Sequence, residues 1–187
     1  EKSLFDPLNY RGIQLTSQFS KAMEQFFASM FLPDLVSVGA FGANQFAYRP
    51  KHGARDAVLY LVLSWLIALA LGSRIGVYCS DVSGAFDKVA RSRLIEKFKC
   101  FGVHPRFIKV ITSWLRPRRA HVTVGGVQSE EFQMSDMVYQ GTVWGPSLWN
   151  IFFADSASAL RSVSFKDIFY ADDLNAFKIF LSSVSNE

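Results

Sequence analysis

The stretch AVLYLVLSWLIALAL, Ala57 to Leu71, carries no charged residue, and it constrains the fold more than any other feature. A helix that spans a bilayer needs about 20 apolar residues. This run is shorter, and Arg55, Asp56 and Arg74 flank it closely. The reading is a buried helix that stops at Gly72, a residue suited to the left-handed C-terminal position. A membrane anchor is the competing use of the same residues. Flotation with liposomes separates the two, because a buried helix leaves the protein in the soluble fraction.

Such a helix needs a second layer to cover it, and the flanking segments supply one. RIGVYCSDV, Arg74 to Val82, reads as a buried strand ending at Asp81. ARSRLIEKFKCFG and HPRFIKVITSWLRP read as two helices, the first stopping at Gly102, the second starting near Pro105 and breaking before Pro117. AHVTVGGVQSEEFQM alternates on both sides of Gly125-Gly126, a hairpin signal. GPSLWNIFFADSASAL reads as one helix with Pro146 in its first turn. DIFYADDLNAFKI reads as a second hairpin with its aspartates at the turn, where Asp tolerates left-handed conformations.

Towards the N-terminus, LTSQFSKAMEQFFASMF sets Phe19, Met23, Phe26, Phe27 and Met30 on one helical face. Thr16 or Ser17 is its expected N-cap and Pro33 its expected end. Phe41 to Asp56 reads as a loop rich in Gly and basic residues. Helices and mostly antiparallel strands are thus intermixed. The expected class is α+β, a split βαβ (ferredoxin-like) antiparallel sheet backed by helices. No Gly-rich phosphate loop follows a strand, so a P-loop or dinucleotide fold has no support.

Composition narrows the chemistry. Half of the 187 residues are apolar and 15% are aromatic, which provides a core and argues against disorder. A net charge of +4 is compatible with a polyanionic partner. Cys79 and Cys100 show no CxxC spacing and read as reduced core thiols. His52, His104 and His121 lack metal-ligand spacing. Metal chemistry, if the chain has any, falls to carboxylates.

The candidates are Asp81 and the pair Asp172-Asp173 in IFYADDLNAF. Adjacent like charges repel, and burying either is costly unless something compensates. Two aspartates in a turn also serve as ordinary soluble turn residues. If the strand ending at Asp81 neighbours the hairpin, however, three carboxylates converge at one rim of a sheet. Hard oxygen ligands of that kind suit Mg²⁺.

The order of the surrounding segments favours the metal. FYADD is similar to the Tyr-x-Asp-Asp hairpin of reverse transcriptases, in the Tyr-Ala-Asp-Asp form of non-LTR retrotransposons and group II introns. NYRGIQLTSQFSKAMEQ resembles their first fingers block, Tyr-Arg-Pro-Ile followed by a helix with Lys-x-x-Glu. NQFAYRPKHGARDAV resembles Gln-x-Gly-Phe-Arg-Pro, and VYCSDVSGAFDKVARSRL resembles Asp-x-x-x-Ala-Phe-Asp-x-Val. YQGTVWGPSLWNIFFAD resembles Pro-Gln-Gly-x-x-x-Gly-Pro-x-Leu-Phe-Asn. These blocks stand in the family's order from Tyr10 to Phe177, and the fit is closest to non-LTR (LINE-type) elements.

The resemblance implies a right-hand polymerase, with partial fingers and fingers-palm helices over residues 1–73 and palm over 74–187. It implies RNA-templated DNA synthesis, with an RNA template, a DNA primer and dNTP as partners, no membrane, and two Mg²⁺ ions that Mn²⁺ can replace. Asp81 and Asp172 become the main metal ligands, with Asp173 and the carbonyl of Val82 completing the set. Phe86 takes the steric-gate position that crowds a ribose 2′-OH. Arg11 meets the incoming triphosphate. Gln140 and Gly141 line the nucleotide, and Tyr170 lies near the primer end. Arg49 and Lys51 are candidates for template phosphates, and the run Arg116 to His121 for the nucleic-acid backbone. The implied setting is an intracellular ribonucleoprotein, nuclear or cytoplasmic.

Tyr139 departs from the pattern where Pro precedes Gln-Gly, as do Gly12, Ala47 and Trp144 at their positions. None removes a metal ligand. Tyr139 makes the geometry of the Gln140 loop the point for the structure to decide. The chain has no start methionine and no signal-peptide layout, and reads as part of a longer polypeptide whose later palm block and thumb follow Glu187. The competing reading is a catalytically inactive remnant that at most binds nucleic acid.

Overall fold

The computed structural model describes Asp6, Tyr10 and residues 13–135 and 137–181. Helices α1 (Gln18–Ser37) and α2 (Ala54–Ala70) precede strand β1 (Arg74–Ser80). A 3₁₀ turn, Ala85–Lys88, leads into α3 (Arg91–Cys100) and α4 (Pro105–Trp114). Four short strands follow: β2 (Arg118–Ala120), β3 (Thr123–Val124), β4 (Val127–Gln128) and β5 (Phe132–Met134). Then come α5 (Gly145–Phe153), α6 (Asp155–Ser162) and the hairpin β6 (Lys166–Tyr170) and β7 (Asp173–Phe180).

The main sheet has the order β1-β7-β6, and both pairings are antiparallel. A two-residue connection between β6 and β7 permits only that arrangement. β1 and β6 therefore run parallel with β7 inserted between them, which is the expected split βαβ sheet. Ala176 and Phe177 are consecutive on β7 and both fully buried. Consecutive strand residues face opposite sides, so the central strand is covered on both. The hairpin around Gly125-Gly126 also forms as expected, with β3 pairing β4 and β2 pairing β5.

One contiguous core lies among the helices. Phe31, Leu94, Phe98, Ile111, Leu148 and Trp149 belong to it, drawn from α1, α3, α4 and α5. The helix buried on nearly every side is α5, where Gly145, Ser147, Leu148, Trp149, Asn150 and Ile151 are all inaccessible. Lys97 donates to the carbonyls of Ile151 and Phe152 at its C-terminal end and pairs with Asp155 at 2.7 Å. α5 and α6 are separated by Ala154 alone, which keeps helical dihedrals (φ −55°, ψ −30°), so the expected single helix is nearly continuous.

Several expectations about burial are corrected. In α2 only Ala57 and Ala68 are buried, while Leu59, Leu63, Leu66 and Ile67 are exposed. The helix lies against β1 and β6, with Trp65 edge-on to Phe177 at 6.2 Å. One stripe of an all-round apolar helix meets the sheet, and the described residues leave the rest uncovered. Among the described residues, no helix is long and apolar enough to cross a membrane. Its stop at Gly72 is as expected: φ is 72°, Gly72 N–H donates to Leu69 O at 2.9 Å and Ser73 N–H to Ala68 O at 3.0 Å.

Among the described residues β1 lies at the edge of its sheet rather than buried within it, and leaves Val77, Tyr78 and Cys79 exposed. Both cysteines are free and exposed, so neither is a core thiol. In α1 the buried stripe is Glu24, Ala28, Phe31 and Leu35, and Phe19, Met23, Phe26 and Met30 are exposed. Ser17 is the N-cap residue, without a side-chain cap bond, and Pro33 lies inside the helix. An interior proline costs about 3 kcal/mol. Burial of Phe31 and Leu35 on either side of it, at about 1.5–3 kcal/mol each, outweighs that cost.

Candidate active site

The last pair of β1 is Ser80 with Leu174, so Asp81 follows directly at the end of the strand where β7 begins. The last pair of the β6–β7 hairpin is Tyr170 with Asp173, which leaves Ala171 and Asp172 as its turn. Asp81, Asp172 and Asp173 thus stand at one rim of the sheet. Asp81 and Asp173 are exposed and Asp172 is half-buried. Among the described residues, none of the three carboxylates has a side-chain hydrogen bond or ion pair. Nor do the described residues gather three or more His, Cys, Asp or Glu side chains into a group that could hold a metal unaided.

The turn itself is firmly held. Ala171 has φ 57°, a left-handed conformation that costs a residue with a Cβ roughly 1–2 kcal/mol. Its N–H donates to Gln45 Oε1 at 3.0 Å, and its carbonyl accepts from Gln45 Nε2 at 3.2 Å and Trp149 Nε1 at 3.0 Å. Gln45 is buried and bridges in parallel to Phe169. Phe46 N–H donates to Phe169 O and Phe169 N–H to Asn44 O, both at 2.9 Å. The loop over Asn44 to Phe46 therefore borders β6. The same hairpin buries Asp167, which takes two bonds from Arg161 at 2.7 and 3.1 Å. That bonding holds the Arg161 guanidinium above its ordinary pKa, against the opposing effect of burial.

Trp149 also joins the turn to Phe86, whose half-buried ring stacks on it at 6.2 Å. Phe86 O accepts from Val138 N–H at 2.9 Å, which ties the 3₁₀ turn to the segment carrying Gln140 and Gly141. Gly141 has φ 75°, and a Cβ there would lie 2.9 Å from Gln14 O. Gly141→Ala is expected to destabilise the protein by about 1–3 kcal/mol, read as a lower urea midpoint with unchanged slope.

The departures from the family pattern fit one another. Tyr139 donates its hydroxyl to Arg116 O at 2.7 Å and meets Trp114 edge-on at 5.6 Å. Trp114 packs against Trp144 at 5.3 Å. Both indoles donate to Glu24, Trp114 to Oε1 at 2.9 Å and Trp144 to the backbone carbonyl at 2.6 Å. Glu24 Oε2 accepts from Val143 N–H at 2.7 Å, just before α5. Ala47 replaces a glycine without strain, its N–H donating to Gln45 Oε1 at 3.0 Å.

Other expected site residues are less concentrated. Val82 is half-buried beside Asp81, and Tyr170 is exposed at the end of β6. Arg49 Nη1 donates to the carbonyls of Gly42, Ala43 and Gln45, so this guanidinium braces its own loop. Lys51 is exposed. Arg118 lies 3.9 Å over the Tyr139 ring and Arg119 pairs with Glu131 at 3.1 Å. Arg11 and Gly12 lie outside the described residues. Gln45, Trp149 and Glu24 carry no role that the sequence motifs by themselves assign. The signal for Gln45 and Glu24 was their place in the family blocks, but their partners lie more than 85 residues away.

Comparison with known proteins gives the arrangement a family. The chain is 29% identical over 178 residues to the RNA-directed DNA polymerase from mobile element jockey of Drosophila funebris, covering 92% of this chain and 19% of that protein. It is 32% identical over 149 residues to the probable RNA-directed DNA polymerase from transposon BS of Drosophila melanogaster, covering 80% and 16%. The chain thus spans about a fifth of the length of these relatives. A solved structure of apo telomerase from Candida tropicalis, truncated from its C-terminal domain, shares the fold with a TM-score of 0.58 at 10% identity, over 89% of this chain and 35% of that one. Residues 2–180 match one family along almost the whole chain, and the chain belongs to the reverse transcriptase (RNA-dependent DNA polymerase) family.

Proposed function

We propose that this chain carries the nucleotidyl-transfer site of an RNA-templated DNA polymerase, with fingers elements over 1–73 and palm over 74–187. The observation that carries the reading is the register that brings Asp81 and the Asp172-Asp173 turn to one rim of the sheet. The reaction is attack of a primer 3′-OH on the α-phosphate of a template-paired dNTP. One phosphodiester bond forms, the bond to pyrophosphate breaks, and the hydroxyl proton leaves the attacking oxygen.

The donor set fits Mg²⁺. It is all oxygen, it is accessible, and none of its carboxylates is engaged by another described side chain. Mg²⁺ is commonly held by one or two carboxylates together with waters and substrate phosphates, so it does not require an all-protein cage, and the described residues form none. Asp81 and Asp172, with Asp173 and the Val82 carbonyl, are the proposed ligands, and Mn²⁺ is a substitute. When bound, two such ions activate the attacking oxygen and stabilise the leaving one.

The chain's own residues supply positioning. Phe86, backed by Trp149, sets a wall against a ribose 2′-OH. Gln140 and Gly141 shape the nucleotide side of the site, Arg11 binds triphosphate, and Tyr170 borders the primer end. Arg49 and Lys51 belong to the template side, with Arg49 acting through the loop it braces.

Primer extension on poly(rA)/oligo(dT) tests the reading, with the chain expressed as the longest polypeptide its reading frame encodes. Mg²⁺-dependent dTTP incorporation is expected. No incorporation from that polypeptide would sink the proposal and favour the inactive remnant. Phe86→Ala is expected to relax the preference for dNTP over rNTP by on the order of 10- to 200-fold. Equal discrimination by both proteins would remove Phe86 from the gate.

A further inference from the structure

We propose that Gln45, assisted by Trp149, is a positioning residue for Asp172, holding the turn of the aspartate hairpin in a conformation it would not keep by itself. The inference rests on the function proposed above and deepens it.

Ala171 precedes Asp172 and sits at φ 57°, where a side chain is disfavoured. A left-handed alanine persists only where its surroundings over-determine it. Here they do. Gln45 bonds both the N–H and the carbonyl of Ala171, at 3.0 and 3.2 Å, and Trp149 Nε1 adds a bond to the same carbonyl at 3.0 Å. One primary amide thus reads both backbone polar groups of a single residue. Gln45 is itself fixed, because it is 3% exposed and its Oε1 also accepts from Ala47 N–H at 3.0 Å. The flanking Asn44 and Phe46 bond to β6 on either side.

The turn could therefore relax only by breaking these three bonds, and any relaxation would swing the next residue, Asp172. The family pattern has Phe where this chain has Trp149, and only the indole supplies an N–H to the turn. The clamp also links the aspartate rim to Phe86 through the Trp149 ring. The carboxylate that meets the metal and the ring that meets the sugar are then set by one buried unit.

The test compares wild type, Gln45→Ala, Gln45→Ala/Ala171→Gly and Trp149→Phe in primer extension. Exchange of the residue-171 amide is followed in parallel. Gln45→Ala is expected to lower kcat about tenfold, with KM for primer-template little changed, and to speed exchange of that amide by about tenfold or more. Exchange at Phe169 and Ala176 stays as in wild type. Ala171→Gly added to Gln45→Ala removes the penalty of the left-handed turn and is expected to restore several-fold of the lost kcat. A merely structural role for Gln45 gives no such rescue.

Trp149→Phe keeps an aromatic ring and removes the donor, and is expected to lower kcat in the same direction if Gln45→Ala fails to fold. Unchanged protection of Ala171 in Gln45→Ala, or loss without rescue by glycine, overturns the clamp. A wild type that incorporates nothing overturns the polymerase reading instead, and amide exchange at Ala171 still decides whether Gln45 holds the turn.

Discussion

Asp172→Asn is expected to reduce primer extension by about 10³-fold or more, because it withdraws a charged ligand from the centre of the transition-state charge. The same substitution leaves folding intact. Asp172 is half-buried without a hydrogen bond or ion pair among the described residues, and its neighbour is a like charge. Its stability effect should lie within about 0.5 kcal/mol, and relief of repulsion with Asp173 gives it a stabilising sign. Asp81→Asn should behave alike. The double variant should be no worse than either single one, since residues that act as a unit are not additive. Multiplicative losses would mean that the two aspartates serve separate sites.

Glu24→Ala is expected to produce the largest loss of stability, about 3 kcal/mol, read as a lower urea midpoint with unchanged slope. Glu24 is 2% exposed and its carboxylate accepts from Trp114 Nε1, Val143 N–H and Ser20 Oγ. Truncation strands the indole and amide donors in a buried site. Because Val143 leads into α5 and follows Gln140 and Gly141, nucleotide affinity should fall as well. Glu24→Gln keeps one acceptor oxygen and should lose less. A Glu24→Ala protein as stable as wild type would show that these bonds are replaced by water.

The sheet was legible in the sequence because its signals are local. The aspartate turn in DIFYADDLNAFKI and the Gly stops at 72 and 102 need no distant partner to be read. The three aspartates were legible because the family blocks fix their order, and the register then joined them. Burial was misread where it depends on what lies on the far side of an element. The run Ala57 to Leu71 is apolar all round, yet only one stripe of α2 reaches β1 and β6. The expected face of α1 differs from the buried one because Glu24 counts as polar in a pattern, whereas Trp114 and Val143 satisfy its buried carboxylate. The Gln45 clamp was illegible for the same reason: its bonds reach across 126 residues and depend on a backbone angle at Ala171.

The most direct measurement is metal-centred cleavage, with Fe²⁺ in place of Mg²⁺ and peroxide with ascorbate to generate short-range radicals. Backbone cuts are predicted in two places at once, around Asp81 and around Asp172. Both should disappear with excess Mg²⁺ and in Asp172→Asn. Cuts at one of the two positions alone, or at neither in a protein that extends primers, would contradict a single site built from the end of β1 and the turn of the β6–β7 hairpin.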